Sequence, residues 1–300
     1  MKKGPIYILT CYILWGLLPI FWRTLAALDS LYVLAARIAW ALVFILAVLF
    51  LQKNYSGIVQ VLHDRKEFWR LTVASVLICV NWGVFVWAVN NGHLLDSSLA
   101  YYMNPILAIL LGTLVFHEKL SKTQWLAVLV VLCGLVVTVV RYGRIPWISL
   151  VIGGSFAAYG AVKKTVHVDA QTSLFFETMI LTPLALLYMA WSELRSAGAL
   201  GVLHGAQWLL LPLAGIVTTV PLLFFATGIR LTSMTLTGIL MYINPTLQLL
   251  IGVFLYHEEF TSTHAILFGF VWTGLVLYLL PNLLARRGRK KIKEETVPCE

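Results

Sequence analysis

Apolar residues run along the chain in blocks of about 17–25 positions, the length at which a helix crosses the hydrocarbon of a bilayer. The blocks fall near 5–23, 31–51, 71–90, 97–116, 124–140, 147–163, 172–191, 207–227, 235–256 and 264–281. Polar residues gather in the separators, of which QKNYSGIVQVLHDRKEFWR, residues 52–70, is the longest. The pattern predicts an all-α polytopic membrane protein with ten transmembrane helices. The block at 147–163 is the least apolar; its GGSFAAYG suits close packing inside a bundle better than contact with lipid. The opening MKKGPIYILTCYILWGLLPIFW runs past signal-peptide length without a small-residue cleavage site, so it reads as a first spanning helix.

Two of the blocks resemble each other. YYMNPILAILLGTLVFHE from Tyr101 and MYINPTLQLLIGVFLYHE from Met241 agree at eight of 18 positions and share Asn-Pro-x(6)-Gly-x(4)-His-Glu at an offset of 140. Gly134 and Gly274 continue that offset. One copy lies in the fourth span and the other in the ninth, so each half holds five spans, an odd number, and the second half crosses in the opposite sense. The expected organisation is therefore two inverted five-helix repeats, residues 1–140 and 141–283, followed by a basic cytoplasmic tail, 284–300. Inverted halves around a midplane site are a recurring design of secondary transporters.

Charge sets the expected orientation. With the N-terminus inside, the cytoplasmic segments, taken to include Lys163 and Lys164, hold 17 of the 22 basic residues, and the external ones hold Arg23, Arg141, Arg144 and Arg195. Arg37 falls within a span. This bias places both termini in the cytoplasm. It also explains the net charge of +9 without nucleic acid, because six basic residues crowd into 286–293, directly after an apolar block, where they meet anionic lipid headgroups. Apolar residues make up 60% of the chain and charged ones only 12%, too few for the surface of a soluble globule. Cys11, Cys79, Cys133 and Cys299 form no close pair, so neither a disulfide framework nor a metal site is expected. No phosphate-binding loop or zinc-protease motif occurs, and no cofactor is expected.

Candidate site residues come from mid-span polarity, aromatic side chains and the repeat. Pro105 and Pro245 lack an amide hydrogen and kink their helices, freeing the carbonyls of Tyr101 and Met241. Asn104 and Asn244 either re-satisfy those kinks or present an amide to a ligand. Gln248, one turn beyond Asn244, shares its face. Arg37 and Glu177 are also 140 apart. Intramembrane ions usually face a cavity or a partner, and inversion puts these two toward opposite ends, either lining one cavity or serving as helix-end charges that reach the interface. Asn81 lies mid-span, and Trp15, Trp82 and Tyr101 are the aromatic residues best placed for a cavity wall. Glu177, the acidic residue clearly inside a span, is the candidate for carrying a proton.

The ten-span pattern, YILWGLLPIFW, HE-K-LS and NP-x(6)-G resemble the drug/metabolite transporter superfamily, EamA branch. WGLLPIFW, LAARIAW and NWGVFVWAVNNGHLLDSSLAYYMNPI are more narrowly similar to RarD-type proteins, over essentially residues 4–283. That resemblance implies a bacterial inner-membrane carrier, not an enzyme, that moves a small organic solute (a metabolite, an amino-acid-like compound or an amphenicol-like drug) by alternating access without ATP hydrolysis. The family's glutamate at the end of the fourth span falls on Glu118. The other readings of the same chain are a non-transporting receptor or assembly factor and an intramembrane enzyme. A homodimer is compatible with the pattern and not required by it.

Overall fold

The structure, a computed structural model, describes residues 3–53, 55–90, 94–143, 147–257, 262 and 265–278. In chain order its helices are α1 (Lys3–Trp22), α2 (Ser30–Gln52), α3 (Ser56–His63), α4 (Arg65–Asn90), α5 (Leu94–Leu114), α6 (Lys122–Tyr142), α7 (Trp147–Thr165), α8 (Ala170–Leu194), α9 (Leu210–Arg230), α10 (Met234–Met241), α11 (Ile243–Leu250) and α12 (Ala265–Tyr278). Strands are absent among the described residues. Seven segments are long and apolar enough to cross a membrane, and Ala100–Leu114 and Ala265–Tyr278 are shorter apolar helices. The Gly-, Ser- and Lys-containing α7 is not among them. The long separator at 52–70 holds α3, which buries Val61 against Leu71, Val166 and Phe176.

Helix starts follow from local chemistry. The Asp29 carboxylate accepts from the amides of Leu31 and Tyr32, both at 3.0 Å, and caps α2. Asp169, at the 140-residue offset, accepts from Gln171 and Thr172 and caps α8. Such caps satisfy amides that have no intrahelical acceptor. The duplicated His-Glu doublets end their helices alike: His117 and His257 both take the left-handed conformation, φ 50° and 55°. Just before them, the amides of Phe116 and Tyr256 donate five residues back, to Leu111 and Ile251.

The chain groups into two compact units, 1–116 with 146–258, and 117–145 with 259–300. The smaller unit thus holds α6 and α12. There Gly274 allows α12 to lie against α6: a Cβ on it would fall 2.9 Å from the Ala127 carbonyl.

In the larger unit, α2 packs on α8 and α9, α4 on α7 and α8, α1 on α9, α10 and α11, and α5 on α7 and α10. Glycine permits two of these contacts. A Cβ on Gly215 would come within 2.6 Å of the Trp40 backbone, and one on Gly238 within 2.7 Å of the Pro105 carbonyl. Ile8, Tyr12, Ile38, Ile78, Tyr159 and Phe225 meet at the centre, whereas Phe50, Leu187 and Leu194 lie exposed on the outside, as a lipid-facing surface requires.

Polar contacts collect at the two ends of this unit. At one end the Glu67 carboxylate receives the amide of His167 and the Arg70 guanidinium, Gln171 donates to Gln52 at 2.9 Å, and Arg230 donates to the Val168 carbonyl. At the other, Tyr32 donates to Glu193 at 2.6 Å, Tyr188 donates to Asp29 at 2.9 Å, and the Arg23 guanidinium lies 4.0 Å from the centre of the Tyr256 ring. Each set joins residues that the alternation of spans assigns to one side.

Candidate functional site

The Asp caps fix the depth of both intramembrane charges. Arg37 follows Asp29 by eight residues and Glu177 follows Asp169 by eight, so each lies about 12 Å along its helix from its own end. Between those levels α2, α4, α7, α8 and α9 enclose a small cavity lined by Ile38, Ala41, Ile78, Trp82, Tyr159, Leu174, Glu177, Thr178, Leu181, Thr218 and Leu222. Its volume is about 10 Å³, room for about one water molecule.

Glu177 forms the polar corner of the cavity. Its side chain is 3% exposed, and its Oε1 accepts from Lys163 Nζ at 2.5 Å and from Ser173 Oγ at 2.9 Å. Its Oε2 accepts from the Tyr159 hydroxyl at 2.9 Å. Lys163 also donates to Ser173, at 2.5 Å, and is 2% exposed. The sequence pattern counts Lys163 with the cytoplasmic loop charges, but α7 continues through Thr165 and turns this lysine inward. Glu177 is therefore an ion-paired, fully engaged carboxylate that does not reach for the interface.

Arg37 is treated differently. Its guanidinium lies 4.2 Å from the Trp82 ring centre and 5.5 Å from that of Trp22. Its Nε is sealed from solvent and meets no acceptor among the described residues. Trp82 carries Arg37 on its ring and also lines the cavity that Glu177 reaches, so the two charges flank one region without touching.

The remaining candidates divide by role. Trp15 packs with Tyr12, Phe156 and Phe225 rather than lining the cavity. Tyr101 stacks edge-on with Phe85 at 5.9 Å. Asn81 donates to the Ile152 carbonyl at 2.6 Å and to Ser155 at 3.3 Å, joining α4 to α7. Asn104 Oδ1 is buried with no hydrogen-bond donor among the described residues, close against Gly153. Asn244 accepts from Gln248 at 2.7 Å, the shared face that their spacing implies. Pro105 lies inside a continuous α5, whereas the segment holding Pro245 breaks at Tyr242 between α10 and α11 and ends in a π-helical turn, Ile251–Leu255. The Thr246 hydroxyl answers the Tyr242 carbonyl at that break, at 2.7 Å. Two site residues escape the sequence reading: Lys163, and Thr218, whose buried hydroxyl lines the cavity without a partner among the described residues.

The model of the EamA-like transporter family matches residues 2–140 and again 145–280. An uncharacterized transporter of Bacillus subtilis (strain 168), YojE, is 41% identical over 293 residues, covering 96% of this chain and 97% of its own. Protein RarD of Escherichia coli (strain K12) is 34% identical over 293 residues, covering 97% and 98%. A solved structure titled simply as the crystal structure of a protein shares the fold with a TM-score of 0.71 at 17% identity, covering 93% of this chain and 98% of that one. A family model that occupies both halves, and relatives matched nearly end to end, lead to one assignment: the chain belongs to the EamA-like transporter family, beside the RarD proteins.

Proposed function

We propose that this membrane transporter is a secondary carrier. It moves a small organic solute across the bacterial inner membrane by alternating access, with ten spans arranged as two inverted five-helix halves and both termini in the cytoplasm. The observation that carries this reading is the recurrence of local roles at one offset. Asp29 and Asp169 cap helices, His117 and His257 end them left-handed, and Arg37 and Glu177 stand at equal depth, all 140 residues apart. Packing recurs with them: α1 lies on α9 as α4 lies on α7, and α2 on α9 as α4 on α8. Two halves that can exchange conformations around a central cavity allow the site to face either side in turn.

The solute occupies the region between Arg37 with Trp82 and Glu177 with Tyr159, and enters as the helices part, because the cavity at hand holds about one water. The test combines topology with flux. In a chain freed of its native cysteines, Glu118→Cys is expected to be protected from an impermeant thiol reagent in intact cells and Glu258→Cys to be labelled. A reducible cross-link between Tyr32→Cys and Glu193→Cys, whose side chains meet at one end of the bundle, should stop solute flux in proteoliposomes until it is cleaved. Equal protection at both glutamate positions, or unchanged flux in the cross-linked protein, would refute the reading.

A further inference from the structure

We infer, resting on that transport reading, that the cargo is an organic monoanion with an apolar body, and that Arg37 holds its acid group. The charges that the described residues place inside the larger unit do not balance. Lys163 and Glu177 neutralise each other at 2.5 Å. Arg37 has neither a carboxylate nor a hydrogen-bond acceptor among the described residues, and its Nε is sealed from solvent. Among the described residues Arg37 is thus a half-buried cation without an anionic partner. Withdrawing a charge even partly from water is costly until it is paired, and a bound anion supplies the missing partner.

The setting of Arg37 suits a planar acid group. The guanidinium lies against the indole of Trp82 at 4.2 Å, with Trp22 at 5.5 Å, and such contacts hold its plane while leaving N–H groups at its edge. That edge matches two oxygens of a carboxylate. Past Trp82 the cavity wall is mostly Ile38, Ala41, Ile78, Leu181 and Leu222, with Glu177 confined to one corner, so most of the solute meets hydrocarbon. The same geometry disfavours a cation or a zwitterionic amino acid. An ammonium would need an anionic acceptor, and both oxygens of Glu177 already serve Lys163, Ser173 and Tyr159.

Equilibrium binding to the full chain in nanodiscs, measured by calorimetry, tests this with a matched series: 3-phenylpropanoate, 3-phenylpropanamide, phenylalanine and 2-phenylethylammonium. The propanoate is expected to bind on the order of tenfold more tightly than the amide or the amino acid, the worth of one charge-assisted hydrogen bond. Arg37→Gln should abolish that preference. Arg37→Lys should keep it in weakened form, because the charge stays and the fork is lost, and this variant decides the matter if Arg37→Gln does not fold. Binding of the amide or of phenylalanine as tight as that of the propanoate, no binding of the propanoate, or an Arg37→Gln protein that retains the preference would overturn the inference. Flux of the same compounds is scored separately. A probe that binds with the expected preference but does not cross would leave the anion site standing and defeat the transport reading.

Discussion

Replacing Lys163 with methionine isolates the energetics of the buried pair. In the native chain the two partners are 2% and 3% exposed and meet at 2.5 Å, so solvent does little to screen them. Lys163→Met fills similar volume but leaves the Glu177 carboxylate with only the Ser173 and Tyr159 hydroxyls, in an apolar surround. Breaking one member of a buried pair costs about 3–5 kcal/mol, whereas replacing both with neutral groups is often close to neutral. Glu177→Gln in the same background removes the uncompensated charge and still accepts from Tyr159. The double variant Lys163→Met/Glu177→Gln is therefore expected to recover most of the loss, with a coupling of at least about 2 kcal/mol in the cycle.

The assay is denaturant unfolding in mixed micelles followed by far-ultraviolet circular dichroism, with the four members of the cycle measured side by side. Lys122→Met, at an exposed position at the start of α6, serves as the control and should change stability by no more than about 0.5 kcal/mol. A Lys163→Met protein as stable as that control, or a cycle that is additive, would refute the claim that this pair is a buried structural unit.

Two further outcomes are expected. Gly215→Ala should destabilise the fold sharply, since its Cβ would fall within 2.6 Å of the Trp40 backbone, while Gly154→Ala, with open space around the site, should be neutral or mildly stabilising; monodispersity on size exclusion and the unfolding midpoint distinguish them. Lys163→Met/Glu177→Gln, which has no carboxylate to take up a proton and strands no charge, should abolish pH-driven accumulation of 3-phenylpropanoate in proteoliposomes yet spare its counterflow exchange, and unchanged accumulation would remove Glu177 from any coupling.

How much of this was legible depends on the kind of signal. The repeat announces itself because Asn-Pro and His-Glu are rare in apolar helices, and the left-handed His117 and His257 show that the doublets mark helix ends. Asp29 and Asp169 obey the same offset and were equally readable as caps, since each directly precedes an apolar block. Lys163 was hidden by a boundary. Positions 163 and 173 stand five residues either side of 168, in the α7–α8 turn, so an antiparallel helix pair brings them face to face, and Glu177 lies one turn further along. That arithmetic works only if α7 is known to continue through Thr165; ending the span at 163 makes the lysine its last residue, to be counted with the loop charges, where any charge is cheap. The partner of Arg37 was unreadable for another reason: an absent acceptor is a property of packing from several helices, not of any local pattern.

The two halves place opposite charges at the same position, and the chain resolves them unequally. Glu177 is neutralised from within its own half, by Lys163. The residue equivalent to Lys163 in the first half is Arg23, 140 positions earlier, which cannot neutralise Arg37 because it carries the same sign. It turns instead onto the Tyr256 ring at 4.0 Å, while Lys164 meets the ring of Phe116, the equivalent of Tyr256, at 5.6 Å. A fold built from two interchangeable halves would offer a solute the same reception from either side if its charges were symmetric. Here one half closes on itself electrically and the other keeps a cation that has no anionic partner among the described residues. In the transport reading proposed above, the backbone repeat supplies the capacity to alternate, and this broken charge symmetry supplies the orientation of the solute within it.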